Sequence, residues 1–337
     1  MKACVLHRPG LVRDRPLEYT DVDTPQPSLG ELLIKVRACG VCRTDLHVVE
    51  GELGVRKSPI IPGHQIVGEV VELGEAAPKP KVGARVGVAW LNSTCGECAY
   101  CSTSRENLCD KAEFTGWTRD GGFAEYVVAP AEFVYELPET FDDQQVAPLL
   151  CAGIIGYRCL HRCEIRDWRG ARLGIYGFGA AGHIAIQIAK ARGADVYVCT
   201  RDKQRHQSLA EELGAKWVGT TTEAPPALLD AAIVFAPAGE IVPAALQALD
   251  KGGTLVLGGI HMSPIPQLEY KDLYWERVIR TVANNTREDG RAFLKEAARV
   301  GVQTHVQMFG LHEANDALIA LKHDAIKGAA VLVVDET

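Results

Sequence analysis

The segment from residue 172 to 192 restricts the fold of this chain more than any other stretch of its sequence. An apolar run at 172–176 leads into a glycine-rich turn, and a helical stretch follows from about 180 to 192. A GxGxxG pattern between a strand and a helix is the turn that binds a dinucleotide: its first glycine permits the tight turn, its second admits the pyrophosphate, and its third lets helix and strand pack closely. The unpaired N–H groups at the start of the helix then face the phosphates. The predicted cofactor-binding turn consists of Gly177, Phe178, Gly179, Ala180, Ala181 and Gly182.

Apolar strands and helical stretches alternate over residues 151–285, and this order builds a doubly wound parallel sheet. After the strand at 172–176, further strands are predicted at 195–199, 231–235 and 254–258.

Residues 1–150 follow a different pattern, with short β-type runs broken by glycine and proline. These runs indicate a compact, barrel-like β domain. The clearest examples lie at 32–36, 66–71 and 84–88. After residue 285, an amphipathic helix at about 287–300 leads to a last apolar strand at 329–334, whose partner the composition leaves open.

The composition excludes several classes of protein. With 36 basic and 43 acidic side chains the net charge is −7, which argues against non-specific binding to nucleic acid. Hydrophobic residues make up 47% and charged residues 23%, so general disorder is excluded, and no apolar run of about 18 residues predicts a membrane span. The eleven cysteines are odd in number and the start of the chain lacks a long apolar signal segment. We therefore expect a reducing cytoplasm, with some thiols reserved for metal.

Four cysteines lie close together, separated by gaps of two, two and seven residues. They are Cys95, Cys98, Cys101 and Cys109. Short gaps let one loop fold its thiolates around a tetrahedral Zn²⁺. An iron–sulfur cluster is the rival interpretation, but the ferredoxin run ends with a gap of three and a proline, whereas here the gap is seven and Asp110 follows. Polar Gly96 and Ser102 within the loop argue against unrelated core cysteines. Four protein ligands leave no open position, so this zinc is predicted to be structural.

A second set of candidate ligands is spread along the chain. Cys42 begins the run Cys42-Arg43-Thr44-Asp45-Leu46-His47, His64 follows Pro62-Gly63, and Cys151 comes much later. Each alone is uninformative, since Cys39 and Cys42 would also make a redox pair, His64 a loop histidine and Cys151 a core residue. Together, in this order and with the four-cysteine loop, they resemble the zinc-dependent alcohol dehydrogenases of the medium-chain dehydrogenase/reductase family over nearly the whole chain.

This resemblance implies an α/β protein of two domains. A GroES-like β-barrel catalytic domain would comprise residues 1–150 and 286–337, and a doubly wound Rossmann domain would comprise residues 151–285. In that family Cys42, His64 and Cys151 would ligate a catalytic zinc whose fourth position takes water or substrate. A cation there makes a bound alcohol more acidic.

The neighbours of these ligands receive roles from the same resemblance. Asp45 would accept a hydrogen bond from His64 and fix its tautomer. Thr44 would take the substrate hydroxyl proton and His47 would pass it towards solvent, since a hydroxyl and an imidazole both donate and accept. Arg43 would pair with the cofactor pyrophosphate.

Two positions depart from the family pattern. Many relatives carry glutamate after the ligand histidine, whereas this chain has Gln65, a weaker ligand without negative charge. The site is one negative charge poorer, so we expect a more acidic bound alcohol. Near the C-terminus relatives often read Gly-Arg where this chain reads Gly328-Ala329, so a phosphate contact is either missing or supplied by Lys327.

The choice of nicotinamide cofactor depends on the end of the second predicted strand. NAD enzymes place an acid about 20 residues after the glycine turn, and when the chain is counted as in relatives this position holds Arg201. The guanidinium can pair with a 2′-phosphate, with Thr200 adding a hydroxyl and Arg205 following one helical turn later. NADP is therefore favoured, although a shift by one residue would place Asp202 there and restore NAD.

Trp90 and Trp117 occur where the family lines its substrate pocket, although tryptophans also pack in ordinary cores. With their rings facing the metal, the two tryptophans would narrow the substrate cavity. A narrow cavity favours primary alcohols and aldehydes, with some secondary alcohols, and disfavours polyols.

The sequence thus predicts an NAD(P)-dependent alcohol dehydrogenase with two zinc ions per chain, in a tetramer or dimer. The alternatives are a polyol, threonine or formaldehyde dehydrogenase on the same scaffold, or a non-catalytic zinc- and nucleotide-binding relative, which would require a lost ligand.

Overall fold

The structure is a computed structural model that describes residues 1–77, 79–201 and 206–334. The chain divides into two compact units. The first unit holds residues 1–151, 286–294 and those from 304 on, and the second holds residues 152–285 and 295–303. Residues 295–303, expected with the first domain, group with the second, because Glu296 pairs with Arg192 at 2.8 Å and Gln303 and Gln187 exchange hydrogen bonds.

The N-terminal part of the first unit consists mainly of short strands. Its strands are β1 (Lys2–Leu6), β2 (Leu17–Asp21), β3 (Glu31–Val41), β4 (Gln65–Leu73), β5 (Arg85–Val88), β6 (Leu91–Ser93), β7 (Glu113–Phe114), β8 (Tyr126–Pro130) and β9 (Val134–Glu136). Its helices are α1 (Arg43–Val49) and α2 (Asp143–Val146).

Strands and helices alternate in the second unit. The helices are α3 (Ala152–Arg162), α4 (Ala180–Ala191), α5 (Ser208–Glu212), α6 (Ile241–Gln247) and α7 (Tyr270–Leu273). The strands are β10 (Arg172–Tyr176), β11 (Asp195–Cys199), β12 (Trp217–Gly219), β13 (Leu229–Val234), β14 (Leu249–Leu257) and β15 (Val278–Thr281).

The C-terminal elements follow in the order α8 (Arg287–Val300), β16 (Val306–Gly310), α9 (Ala314–Lys322) and β17 (Ala329–Val333). Strand β17 pairs antiparallel with β3, with Val331 opposite Gly40, so the last strand returns to the first unit. Within the described ranges, no helix has the length and apolar character needed to cross a membrane.

The sheet of the first unit has the order β16-β17-β3-β4-β5-β9. Strand β3 is long enough to serve two partners: its first half pairs with β8 and its second half with β17. The end of β3 and the start of β4 lie side by side, with Gly40 opposite Gln65. This register places the residues just after β3 close to those just before β4. Side chains such as Ile34, Ile66 and Phe123 are fully buried in the core between these strands.

The second unit is a six-stranded parallel sheet of order β12-β11-β10-β13-β14-β15. Strand β10 lies in the middle, and the chain proceeds outward from it first on one side and then on the other. The strands predicted at 172–176 and 195–199 agree with β10 and β11 at both ends, and the helix predicted from about 180 is α4. The predicted doubly wound fold is confirmed.

Candidate active site and metal centres

Cys42 stands between the end of β3 and the start of α1, and its position is fixed by a reciprocal cap. Its Sγ accepts a hydrogen bond from the Thr44 N–H at 3.3 Å, while its own N–H donates to Asp45 Oδ2 at 2.8 Å. A carboxylate three residues after the cap residue completes a capping box. The thiol is thereby held at the helix N-terminus, where the helix dipole favours a thiolate.

His64 is aimed by the turn that precedes β4. Gly63 has φ +98°, and a Cβ there would lie 2.4 Å from a ring carbon of Phe123, so the turn requires glycine. The fully buried imidazole donates through Nδ1 to Asp45 Oδ1 at 3.0 Å, and the Gly63 N–H donates to the same oxygen at 3.2 Å. Asp45 thus fixes the tautomer in which Nε2 is free to bind a cation.

The thiols of Cys42 and Cys151 converge on this free nitrogen. Each Sγ lies 3.3 Å from His64 Nε2. Cys151 reaches it from the end of a 3₁₀ turn, Ala147–Leu150, in a segment far from the other two in sequence. A tetrahedral zinc ion with ordinary bond lengths would separate sulfur and nitrogen ligands by about 3.5 Å. The donor set and its spacing therefore fit a zinc ion with three protein ligands and one open position.

The charges around these atoms also favour a cation. Burial by itself lowers the pKa of His64, but the charges of Asp45 and Cys42 outweigh it and raise that pKa to about 10. A hydrogen bond with Cys151 holds the pKa of the Cys42 thiol well below its ordinary value. Burial raises the pKa of the Asp45 carboxyl, as expected for a carboxylate in an apolar interior. The groups around the buried imidazole thus stabilise a positive charge at His64, and a divalent cation bound to Nε2 would take the place of the proton there.

The remaining predicted residues of α1 have partners that the sequence did not reveal. The Arg43 guanidinium pairs with Asp324, which lies 281 residues away. The His47 imidazole hydrogen-bonds through Nδ1 to the carboxylate of Glu52. Thr44 is buried, with 9% of its surface exposed. The only sequence signal for Glu52 is an acidic residue just beyond the end of α1.

Trp90 and Trp117 belong to one aromatic stack. The Trp90 ring meets the His64 ring edge-on at 5.0 Å, and the Trp117 ring stacks on Trp90 at 5.8 Å. Phe114 packs against both tryptophans. The structure thus brings Trp90 against a candidate ligand and places Trp117 one ring further away.

Gln65 is buried beside the same pocket. Its amide lies against the backbone of Gly40, where a Cβ would come within 2.9 Å of the amide carbon and oxygen.

The four cysteines of the loop after β6 also meet around one point. Cys95 Sγ lies 3.6 Å from Cys109 Sγ and 3.9 Å from Cys101 Sγ, and Cys98 Sγ lies 3.5 Å from Cys101 Sγ. Two thiolates on a tetrahedral zinc are separated by about 3.8 Å. Backbone N–H groups of Glu97 and Cys98 lower the pKa of Cys95 to about 6, whereas burial raises the pKa of Cys109 to about 11. This closed set of four sulfurs fits a second zinc ion.

The glycine turn between β10 and α4 has the shape that a phosphate needs. Gly177 has φ +91°, and a Cβ there would lie 2.8 Å from the Ala236 nitrogen. At Gly179 a Cβ would meet nothing within 4 Å, and this residue gives α4 no side-chain cap. A Cβ at Gly182 would come 2.8 Å from the Gly177 oxygen. Space and uncapped N–H groups at the helix start suit a pyrophosphate. Phe178 is buried, and Ala180 and Ala181 open the helix.

The residues predicted to read the cofactor ribose follow β11. Thr200 is buried, with its carbonyl oxygen accepting from the Gln207 side chain at 3.0 Å, and the next residue, Arg201, is exposed. Asp202 and Arg205 lie outside the described residues.

Comparison with known proteins finds matches among alcohol dehydrogenases. Residues 28–139 match the family model of the alcohol dehydrogenase GroES-like domain, and residues 180–299 match that of the zinc-binding dehydrogenases. The chain is 48% identical over 340 residues to the probable alcohol dehydrogenase AdhA of Mycobacterium tuberculosis (strain CDC 1551 / Oshkosh), covering 99% of this chain and 97% of that protein.

Two solved structures extend the likeness to the fold. A cobalt- and zinc-bound thermostable alcohol dehydrogenase from Pyrobaculum aerophilum superposes with a TM-score of 0.90 at 26% identity, over 99% of each chain. An NADP-bound putative zinc-binding dehydrogenase from Sinorhizobium meliloti 1021 gives 0.85 at 28% identity, over 98% of each chain.

Fold, donor sets and relatives together define a zinc-binding dehydrogenase. The chain belongs to the zinc-dependent alcohol dehydrogenases of the medium-chain dehydrogenase/reductase family, as the resemblance predicted. It is an NAD(P)-dependent oxidoreductase whose substrates are small alcohols and aldehydes.

Proposed function

We propose that this enzyme interconverts primary alcohols and aldehydes, with some secondary alcohols, and that Cys42, His64 and Cys151 hold its catalytic zinc. The observation that carries the proposal is the convergence of two sulfurs on one imidazole nitrogen at 3.3 Å, from three distant segments of the chain. A zinc ion bound there acts as a Lewis acid that polarises the substrate oxygen and makes its hydroxyl more acidic. The four-cysteine loop would hold a second, structural zinc.

Two side chains of α1 would transfer the hydroxyl proton of the substrate. Thr44 and His47 are three residues apart on this helix and therefore share a face. In alcohol oxidation Thr44 takes the substrate hydroxyl proton as it gives up its own, and His47 passes a proton towards solvent. Asp45 keeps His64 in the ligating tautomer and touches no substrate.

Arg43 would provide the positive charge for the cofactor pyrophosphate. In the structure its guanidinium pairs with Asp324. Both side chains remain more than one third exposed, so a phosphate can replace the carboxylate at modest energetic cost.

NADP is the cofactor we favour. The exposed Arg201 directly follows the buried Thr200 at the end of β11, and the related Sinorhizobium meliloti structure holds NADP. For Arg205 the proposal rests on sequence alone. The kcat/KM for NADP should exceed that for NAD, and Arg201→Asp should reverse the order. A strong preference of the unmodified enzyme for NAD would overturn the assignment.

Trp90 would form one wall of the substrate pocket, because its ring contacts the ligand His64. Trp117, stacked behind Trp90, would hold that wall in place and narrow the approach. Aromatic walls suit aliphatic and aromatic primary alcohols. A panel of alcohols and aldehydes assayed with both cofactors tests this: the highest kcat/KM should belong to a primary alcohol or its aldehyde, and a higher value for a polyol or for threonine would contradict it.

The enzyme would assemble as a dimer or tetramer in a reducing cytoplasm. Strand β15 lies at the edge of the parallel sheet, and the segment before it exposes Tyr270, Tyr274 and Trp275 by 74, 60 and 48%. Apolar groups exposed beside a sheet edge commonly pack against another chain. The cysteines of both candidate zinc sites are thiols and not disulfides, which is the state that a reducing compartment maintains. Light scattering on the purified protein should give a dimer or tetramer mass, and a monomer would contradict the proposal.

A further inference from the structure

We propose that Glu52 is a positioning residue of the proton path, which holds the His47 imidazole and carries its proton to solvent. This inference rests on the role proposed above for His47.

The chain folds back at the end of α1 to bring Glu52 to His47. After the helix the Gly51 N–H donates to the Val48 oxygen at 3.2 Å, and the Glu52 N–H donates to the His47 oxygen at 2.9 Å. This turn places the Glu52 carboxylate in hydrogen-bond contact with His47 Nδ1. The backbone bond and the side-chain bond join the same two residues, so the turn holds the Glu52 carboxylate beside the imidazole.

Exposure to solvent increases from His47 to Glu52, which is the direction in which the proton must leave. The His47 side chain is only 9% exposed, whereas that of Glu52 is 46% exposed. The carboxylate that contacts the buried imidazole is therefore reached by solvent and can pass a proton between His47 and water. Within the described part of the chain, His47 is the hydrogen-bonding partner of that carboxylate.

A second carboxylate nearby serves another purpose. Glu50 is only 5% exposed, accepts from Lys322 Nζ at 2.6 Å and from the Val12 N–H at 3.1 Å, and so ties α1 to neighbouring elements. Its negative charge is balanced by Lys322. Glu52 is thus the carboxylate of this turn that is committed to the imidazole.

The hydrogen bond between His47 and Glu52 sets the tautomer of the imidazole and gives the transferred proton an acceptor. A carboxylate at Nδ1 makes that nitrogen the donor and leaves Nε2 as the acceptor. In alcohol oxidation the proton arriving from Thr44 bonds to Nε2, the Nδ1 proton moves to Glu52 Oε2, and Glu52 then releases it to water. One proton enters and one leaves, and the imidazole ends as the other tautomer, which returns when the ring rotates or the protons exchange with water. A glutamine at this place would keep a hydrogen bond but could not take the proton.

The test is the rate of the hydride-transfer burst in rapid mixing of the zinc-loaded enzyme with oxidised cofactor and benzyl alcohol. In Glu52→Gln the burst should slow about tenfold, with KM for the alcohol changed less than twofold. This loss is smaller than the roughly 100- to 10,000-fold that a general acid or base contributes, because His47 itself remains in place. Added formate should restore part of the rate, and Glu52→Asp should retain most of it. Glu72→Gln, which removes an exposed charge on β4, should match the unmodified enzyme.

Two results would overturn the inference: a burst in Glu52→Gln within twofold of the unmodified enzyme, or a loss that formate and Glu52→Asp both fail to restore. The double variant His47→Gln/Glu52→Gln should be no slower than His47→Gln alone, and additive losses would likewise contradict action through His47. Failure of the unmodified, zinc-loaded enzyme to oxidise any alcohol would instead refute the proposed function.

Discussion

The two thiol sites of this enzyme share a chemistry but are assembled in opposite ways. The four cysteines of the loop come from one short segment, and only Cys109 among them is buried. The other site gathers Cys42, His64 and Cys151 from three segments, with a fully buried imidazole held from behind by Asp45. A loop with little apolar content depends on its metal for shape, whereas the three-segment site is organised by the fold before a metal arrives.

The number of ligands adds a second difference. Four sulfurs fill a tetrahedral zinc, and three protein ligands leave one position for substrate. Substitution of a loop cysteine should therefore lower the stability of the protein, and substitution of a ligand in the three-segment site should lower its turnover.

The largest effect is expected for His64→Ala. Removing the central ligand should lower kcat/KM by about 1000-fold or more, because the metal that activates the hydroxyl is lost. Zinc content should fall from two ions per chain to one while the far-ultraviolet circular dichroism remains. The exposed His7→Ala serves as the matched control. Near-normal turnover in His64→Ala would show that the ligand assignment is wrong.

Cys98→Ser should produce the opposite phenotype. Zinc should again fall from two ions to one, and the unfolding temperature should drop by roughly 5 °C or more, the scale expected when a structural metal is lost. Activity per folded molecule should stay within about threefold of the unmodified enzyme. Ser102→Ala, at an exposed position of the same loop, controls for local disturbance. If Cys98→Ser abolished turnover without affecting stability, the division of labour between the sites would be refuted.

Asp45→Asn tests whether the Asp45 carboxylate positions the candidate ligands of the three-segment site. The carboxylate accepts from the N–H groups of Cys42 and Gly63 and from His64 Nδ1, and a neutral amide can replace only part of this set. Zinc affinity of this site should fall about 10- to 100-fold. Competition with a chelator measures it, and the four-cysteine site of the same protein is the internal control. Equal affinity in variant and unmodified enzyme would contradict the positioning role.

Gln65→Glu should give the smallest effect, a shift in pH dependence. A new carboxylate beside the metal disfavours the deprotonated, negatively charged substrate, so the kinetic pKa of the bound alcohol should rise by about half to one unit. Alcohol oxidation would then reach its plateau at higher pH. The neutral Gln65→Met variant should not show this rise, because it adds no charge. An unchanged pH–rate profile in Gln65→Glu would count against the expected electrostatic role.

Local patterns were readable from the sequence, and long-range contacts were not. The glycine turn at Gly177 and the strand before it depend on neighbours in the chain, and their ends were predicted closely. The four-cysteine loop is equally local. By contrast, no spacing joins Cys42 to Cys151, so that set came from a family resemblance.

The partners of the predicted side chains were missed for the same reason. Asp324 meets Arg43 only after the chain has folded, and Glu52 reaches His47 through a turn rather than along a helix face. The helix α8 was predicted correctly, but hydrogen bonds of its second half and the residues that follow place 295–303 with the second unit.

Anomalous diffraction at the zinc edge, on crystals grown without chelator, shows whether Cys42, His64 and Cys151 share one zinc ion. We predict two peaks per chain: one within about 2.0–2.4 Å of Cys42 Sγ, His64 Nε2 and Cys151 Sγ, and one surrounded by the four loop sulfurs. A chain with its only peak in the loop, or with Cys42, His64 and Cys151 too far apart to share an ion, would contradict the assignment of these three residues as zinc ligands.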